Sequence, residues 1–400
     1  MKNLKNNRKV TLLILGLLSA IGPFSIDLYL PAFEIIAEDF NTSIEKVQFT
    51  LTSYFIGIAL GQLVYGPLLD RYGRKKPLLI GLGIYIIASA LCIFTRDINH
   101  LIILRFLQAL GSCGGMVGAR AMVTDYYNSR EAARVFSLLM LVIGISPILA
   151  PSIGAFMLNH VDWHYIFLFL TVLATIIFIG TQFFLPESYA GNKSFSLAPP
   201  AIVKSFWSVF RNKTFISYCI VGSIASSATY AYLAGSPYLM QQYFGLSKGE
   251  YGFAFAFVAS AMIIATQLNR WLLKRWTSPQ ISYLANLWQA IIGIIMIAVL
   301  AAGYLQISNM ILLIFCFLFG YGFIFPNTSA IAMEPMRSLA GSASALLGCI
   351  QMGIGAFASA MVSFLHNQTP WPMIAVMSTA AVGSFILHSV VRKTVVVKQE

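Results

Sequence analysis

Charge is what this sequence has least of. Only 10% of its 400 residues are Asp, Glu, Lys or Arg, while 58% are hydrophobic. A soluble domain carries roughly 25% charged residues, so a water-wetted surface over so apolar a chain is excluded and lipid is the expected solvent. Acid is scarcer than base, with 14 acidic against 26 basic residues and a formal charge of +12. In a soluble protein that excess would suggest nucleic acid. Here the bases sit in short stretches between apolar runs, so no nucleic-acid partner is expected. Cysteine is sparse too: Cys92, Cys113, Cys219, Cys316 and Cys349 form an odd set, all inside apolar runs, which argues against a disulfide framework. His100, His160, His164, His366 and His388 fall near loops or helix ends, and no H-E-x-x-H spacing or phosphate-binding G-x-x-x-x-G-K-[ST] loop occurs. A metal site, an intramembrane enzyme and a nucleotide-driven pump are therefore not expected.

What the chain has in abundance is runs of about 20 apolar residues, the length that crosses a bilayer as a helix. Twelve are read, at 10–36, 46–69, 77–95, 100–123, 132–158, 163–184, 214–240, 249–273, 279–303, 309–332, 340–365 and 370–391. The expected fold is an all-α membrane protein of twelve spans in two six-helix halves, 1–185 and 214–400, joined by a polar linker over 186–213. Lys2, Lys5, Arg8 and Lys9 before an apolar stretch resemble a signal peptide, but no small-x-small cleavage site follows, so a retained first helix is expected. With twelve spans, 20 of the 26 bases fall on the side of the termini, and only Lys46, Arg96 and Lys248 fall opposite. That bias predicts cytoplasmic termini. Asp70-Arg71 after the second span aligns with Asn269-Arg270 after the eighth, and Gly111 with Gly322, which suggests a duplicated unit, a common transporter plan.

Asp27 is the one acid read as deep within a span, and an intramembrane charge is a functional candidate by default. Arg105 is expected as its partner at similar depth. Arg105, Gln108, Ser112, Met116 and Arg120 recur at helical spacing on span four and predict a polar face on an aqueous cavity. Burial favours the neutral acid and a nearby arginine the carboxylate, so a change in water access or in the Asp27–Arg105 distance would capture or release a proton. The plainer reading is a static structural pair. Phe24, Tyr54, Tyr230, Tyr232 and Phe357 are candidates for an adaptable aromatic pocket, with Asp27, Arg105 and Ser112 as its polar contacts. Gly144, Pro147, Pro151 and Gly154 would let span five bend and pack closely.

Several stretches carry a family resemblance. Gly66-Pro67-Leu68-Leu69-Asp70-Arg71-Tyr72-Gly73-Arg74-Lys75-Lys76 resembles the loop 2–3 signature of the major facilitator superfamily. Arg105-Phe106-Leu107-Gln108 is similar to that family's fourth-helix signature, with Ala109 where a glycine is usual. The span-five residues are similar to its antiporter signature, with Ser146 and Ala150 in place of two glycines. Ser25-Ile26-Asp27-Leu28-Tyr29-Leu30-Pro31-Ala32, Gly61-Gln62-Leu63-Val64-Tyr65-Gly66-Pro67 and Leu185-Pro186-Glu187-Ser188 resemble the Bcr/CflA group of drug–proton antiporters. The resemblance implies efflux of bicyclomycin- or chloramphenicol-like compounds across a bacterial inner membrane, with protons as coupling ion, no other cofactor, and a monomer in the bilayer. It also implies a cytoplasmic latch of Gly66, Asp70, Arg71, Gly73, Arg74 and Asp125, with Asp70 facing the amino end of span eleven near Gly341. The alternative on the same fold is a proton-coupled uptake symporter for a small metabolite.

Overall fold

An apolar run in lipid must satisfy its own backbone groups, and a helix does so within one segment. The computed structural model describes residues 8–127, 129–192 and 197–396, and all regular structure among them is helical. The helices are α1 (Arg8–Asp27), α2 (Phe33–Asp39), α3 (Ile44–Tyr72), α4 (Lys75–Cys92), α5 (Ile98–Tyr126), α6 (Ser129–Leu158) and α7 (His164–Phe184). After α8 (Pro199–Phe210) come α9 (Lys213–Pro237), α10 (Lys248–Leu272), α11 (Ser278–Ala301), α12 (Ile307–Met333), α13 (Ala340–Phe364) and α14 (Trp371–Val396). Ten units, with α1 and α2 counted as one, are long and apolar enough to cross a membrane. The others are α6, apolar over Val142–Leu158, and α9, whose many Ser, Gly and Ala residues dilute its hydropathy because its neighbours bury it on nearly every side. The chain is a multi-pass membrane protein of twelve spans.

The two halves repeat one packing scheme. In the first, α3 and α4 lie on α5, α4 also on α7, and α1 on α5, α6 and α7. In the second, α10 and α11 lie on α12, α11 also on α14, and α9 on α12, α13 and α14. The halves meet through α3 on α13 and α6 on α10, which exchange under the same correspondence. Side chains such as Phe94, Phe183, Phe253 and Phe364 project outward, as lipid contact requires.

Three departures from the sequence reading matter for the site. The first span is not one helix: α1 stops at Asp27, residues 28 and 29 turn, and a 3-10 turn over Leu30–Ala32 leads into α2. Pro31 lacks the N–H a continuing helix would need. The seventh span ends in a π-helical turn, Tyr238–Tyr243. Finally, the polar linker contains a helix, α8, that was not foreseen. Below, the side where α1 begins and α14 ends is called the terminal face, and the other the distal face.

Candidate functional site

The break after Asp27 places the site. A helix leaves its last carbonyls without backbone donors, and a cation at that end complements the helix dipole. Arg105 of α5 supplies both, its Nη2 donating to the Ser25 carbonyl at 3.1 Å and its Nη1 to Gln108 Oε1 at 2.6 Å. Gln108 passes the network on, Nε2 donating to Ser89 Oγ at 2.7 Å. The Tyr54 and Tyr29 rings flank the guanidinium with centroids at 4.4 and 4.6 Å, and Phe167 closes the cage at 5.9 Å. A desolvated cation over an aromatic face gains about 2 kcal/mol or more, which explains how a fully buried arginine persists with no carboxylate paired to it among the described residues. Only its Nε lacks a partner.

Asp27 is 4% exposed, and the expected ion pair with Arg105 is absent among the described residues. This corrects the sequence reading. Arg105 Nη1 and Nη2 bond Gln108 and the Ser25 carbonyl, so its link to Asp27 runs through the backbone from Ser25 to the acid. The carboxyl instead lies within electrostatic reach of Tyr232 on α9 and Tyr251 on α10, both in the opposite half. Tyr251 shares a 3.1 Å hydrogen bond with Ser236, while the Tyr232 hydroxyl is buried without a partner. Tyr251 and Ser236 were missed in the sequence, where nothing distinguishes them from other interior hydroxyls.

The other pocket candidates divide. Tyr54 donates to Ser112 Oγ at 3.2 Å and belongs to the arginine cage. Tyr232 stacks on Phe255 at 5.6 Å, and Tyr230 meets Phe55 across the halves at 4.7 Å. Phe24 turns towards Phe169 on α7, with ring centroids 6.3 Å apart. Phe357 is 66% exposed and points away from the interior, so its place in a pocket is withdrawn. On α5, Arg105, Gln108 and Ser112 are fully buried, so in this conformation the expected water-lined face does not extend to them, and Arg120 at the terminal end is exposed. His388, expected near a helix end, is buried within α14, its Nδ1 2.9 Å from Asn286 Nδ2.

Despite Pro147 and Pro151, α6 runs unbroken from Ser129 to Leu158. A Cβ at Gly144 would sit 3.7 Å from Ile263 of α10, while Gly154 lies against the Leu28 carbonyl, where any side chain would collide. The glycine thus lets α6 ride directly on the break that carries Asp27.

At the terminal face, Arg74 Nη1 meets Asp70 at 2.7 Å and its Nε meets Asp125 at 2.9 Å. Burial alone would lower the Arg74 pKa, but hydrogen bonds and charge from Asp125 and Asp70 outweigh it and raise the pKa. Arg71 lies over the Tyr72 ring. The segment after α7 closes this cluster. Glu187 accepts from the Arg74 and Lys75 backbone N–H groups at the start of α4, Ser188 donates to Asp125, and Tyr189 covers the Arg74 guanidinium at 4.7 Å. Gly73 makes room for that segment with φ +84°, a conformation strained for any residue with a side chain. Asp70 is 47% exposed, and among the described residues no bond joins it to α13. Near Gly341 and Gly66 the space is open to 4 Å. Among the described residues, Arg74 therefore bonds Asp70 and Asp125, both in the first half.

The contacts between the halves run from mid-span to the distal face. Thr52 and Ser359 hydroxyls are 2.8 Å apart, Gln62 presses on Gly348, Tyr230 covers Gly355, and His366 Nε2 lies 3.1 Å from Glu45. Above them a vestibule of about 690 Å³ opens outward, lined in part by Glu34, Glu38, Tyr238 and Tyr243.

A family model described as Major Facilitator Superfamily matches residues 14–360. The chain is 30% identical to the multidrug resistance protein D of Escherichia coli over 94% of each sequence. It is 27% identical to the bicyclomycin resistance protein homolog of Haemophilus influenzae, covering 96% of this chain and 97% of that one. Among solved structures, a D-xylose-proton symporter superposes with a TM-score of 0.72 at 16% identity, over 94% of this chain and 97% of the other, a likeness of fold alone. The chain is a transporter rather than an enzyme, and it belongs to the major facilitator superfamily.

Proposed function

We propose that the protein exports small amphipathic, drug-like compounds in exchange for protons, across a bacterial inner membrane with both termini in the cytoplasm. The observation that carries this reading is Asp27, a buried acid at the end of α1, where the turn that follows packs against α9 and α10 of the other half, the helices of Tyr232 and Tyr251. When the halves rock, those tyrosines move relative to the carboxyl and its access to water changes. A proton taken up from one side is then released to the other. Arg105 holds the last turn of α1 through Ser25, so the acid keeps its position while the opposite wall moves. An amphipathic compound against the aromatic wall of Tyr230, Tyr232 and Phe255 would compete with the proton for the same seam. The resistance proteins among the relatives favour export. In this conformation the contacts run from mid-span to the distal side, which corresponds to access from the cytoplasm.

The test is drug susceptibility of an efflux-deficient bacterium expressing the chain, paired with proton movement in everted vesicles on addition of bicyclomycin and of chloramphenicol. Compound-dependent proton release in vesicles from wild type, lost in Asp27→Asn at equal membrane abundance, is the expected result. Unchanged pH dependence in Asp27→Asn would remove the acid from the mechanism, and accumulation driven in the uptake direction would reverse the assignment.

A further inference from the structure

The helix α8 has no role in the exchange described above. It is 12 residues long, too short to span, and starts with Pro199-Pro200, which suits a first helical turn. Its sequence separates into three stripes. Ile202, Ser205 and Val209 face the protein: Val209 is fully buried against the cluster of Phe215 and Met336, and Ser205 Oγ lies 2.8 Å from Ser342 Oγ in the first turn of α13. Val203, Trp207 and Phe210 follow at helical spacing on a second stripe and are 61%, 55% and 44% exposed. Lys204, Ser208 and Arg211 form a third, exposed stripe beside them, with the Arg211 guanidinium 5.8 Å from the Trp207 ring and Trp207 stacked on Phe210.

We infer that α8 lies in the headgroup layer of the membrane at the terminal face, its apolar stripe in the acyl boundary and its basic stripe against anionic lipid. Three observations select a bilayer as the occupant. In chain order the helix joins the terminal-face ends of two spans, α7 and α9, and it packs on α9 and the start of α13, while the exposed Phe183 and Phe184 show that the lipid-facing band of α7 reaches the terminal face. From Ser188 to Gly249 the chain contains no acid, whereas Lys204, Arg211 and Lys213 cluster at α8, so an anionic surface is complementary. Lastly, a large aromatic beside basic residues on a short amphipathic helix is the composition that partitions to the interface. The Ser205–Ser342 bond ties this anchor to α13, the helix that crosses to α3, so lipid charge acts on the terminal end of a mobile element.

The experiment compares full-length wild type and Trp207→Phe in proteoliposomes of phosphatidylcholine, with and without phosphatidylglycerol, using acyl chains brominated either near the headgroup or near the chain end. The difference in tryptophan quenching between the two proteins reports Trp207 alone. Shallow bromines should quench the Trp207 signal more than deep ones, and aqueous acrylamide should quench it least. Lys204→Gln/Arg211→Gln should lose the extra quenching that phosphatidylglycerol produces in wild type, since each base near an anionic surface strengthens association roughly five-fold. Efflux of that variant should no longer respond to phosphatidylglycerol content. Trp207 quenched by acrylamide and indifferent to brominated lipid would overturn the placement. Equal lipid-charge dependence in wild type and the double variant would overturn the role of the basic stripe.

Discussion

The two halves share a packing scheme and differ in what they bury. The first encloses the Arg105 cage, the acid at the end of α1 and, at its terminal edge, the Asp70–Arg74–Asp125 cluster. In the second, the position aligned with Asp70 is Asn269, whose side-chain oxygen accepts from Asn327 at 2.7 Å, and a further buried network joins Asn286 with His388 and Ser384. Neutral amides satisfy each other without a charge to desolvate, whereas the first half needs rings and carbonyls arranged around a cation. Duplication therefore supplied the geometry twice, and charge chemistry was kept in one copy. The second copy contributes a wall of tyrosines that changes what the charged copy faces.

That contrast can be broken most directly at Asp27. Asp27→Asn should abolish proton-coupled efflux with the protein still in the membrane, read as loss of compound-dependent proton movement in vesicles. Arg105→Ala should come next. It leaves the Ser25 carbonyl and Gln108 without their donor and the tyrosine cage empty, at a cost of about 2–3 kcal/mol, seen as a lowered melting temperature together with lost transport. Asp70→Asn should slow exchange while Arg74 stays held by Asp125, so turnover falls with little change in melting. In the second half Asn269→Ala should cost only about 1 kcal/mol and leave proton coupling intact; equal loss of coupling at Asn269 and Asp27 would erase the distinction drawn here. The smallest effect belongs to His366. Burial lowers its pKa against the opposing pull of Glu45. The distal closure therefore holds a less protonated imidazole than the open form. It is fully favoured above the ordinary histidine value and weakens as pH falls through that value towards the lowered one. Distances across the distal face, followed against pH, should widen in acid in wild type and stay flat in His366→Gln.

Much of the fold is legible in the chain because lipid imposes a simple rule, and Asp27 and Arg105 are conspicuous for the same reason: charge is rare in apolar runs. Their partners were less legible. Arg74 is the exception: Asp70 lies one helical turn earlier, and Asp125, 51 residues away, was expected beside it at the end of span four, and both pairs are present. Arg105 was matched to Asp27 by depth alone, and depth carries no information on rotation about the helix axis. Phe357 failed for that reason too, since an aromatic on an apolar helix reads alike whether it faces lipid or interior. The helix α8 was hidden by its prolines and its polar surroundings.

What the sequence by itself determined is the number of spans, their alternating direction and the positions of the few charges within them, because hydration cost is a property of each segment taken alone. Only the tertiary structure decided that α1 ends at Asp27 with Arg105 on its last turn, and that the turn after the acid packs against α9 and α10, the helices of Tyr232 and Tyr251. Those relations depend on which faces of different helices turn towards each other. Hydrogen bonds and ring contacts between distant segments set that orientation, and hydropathy along one segment does not encode it.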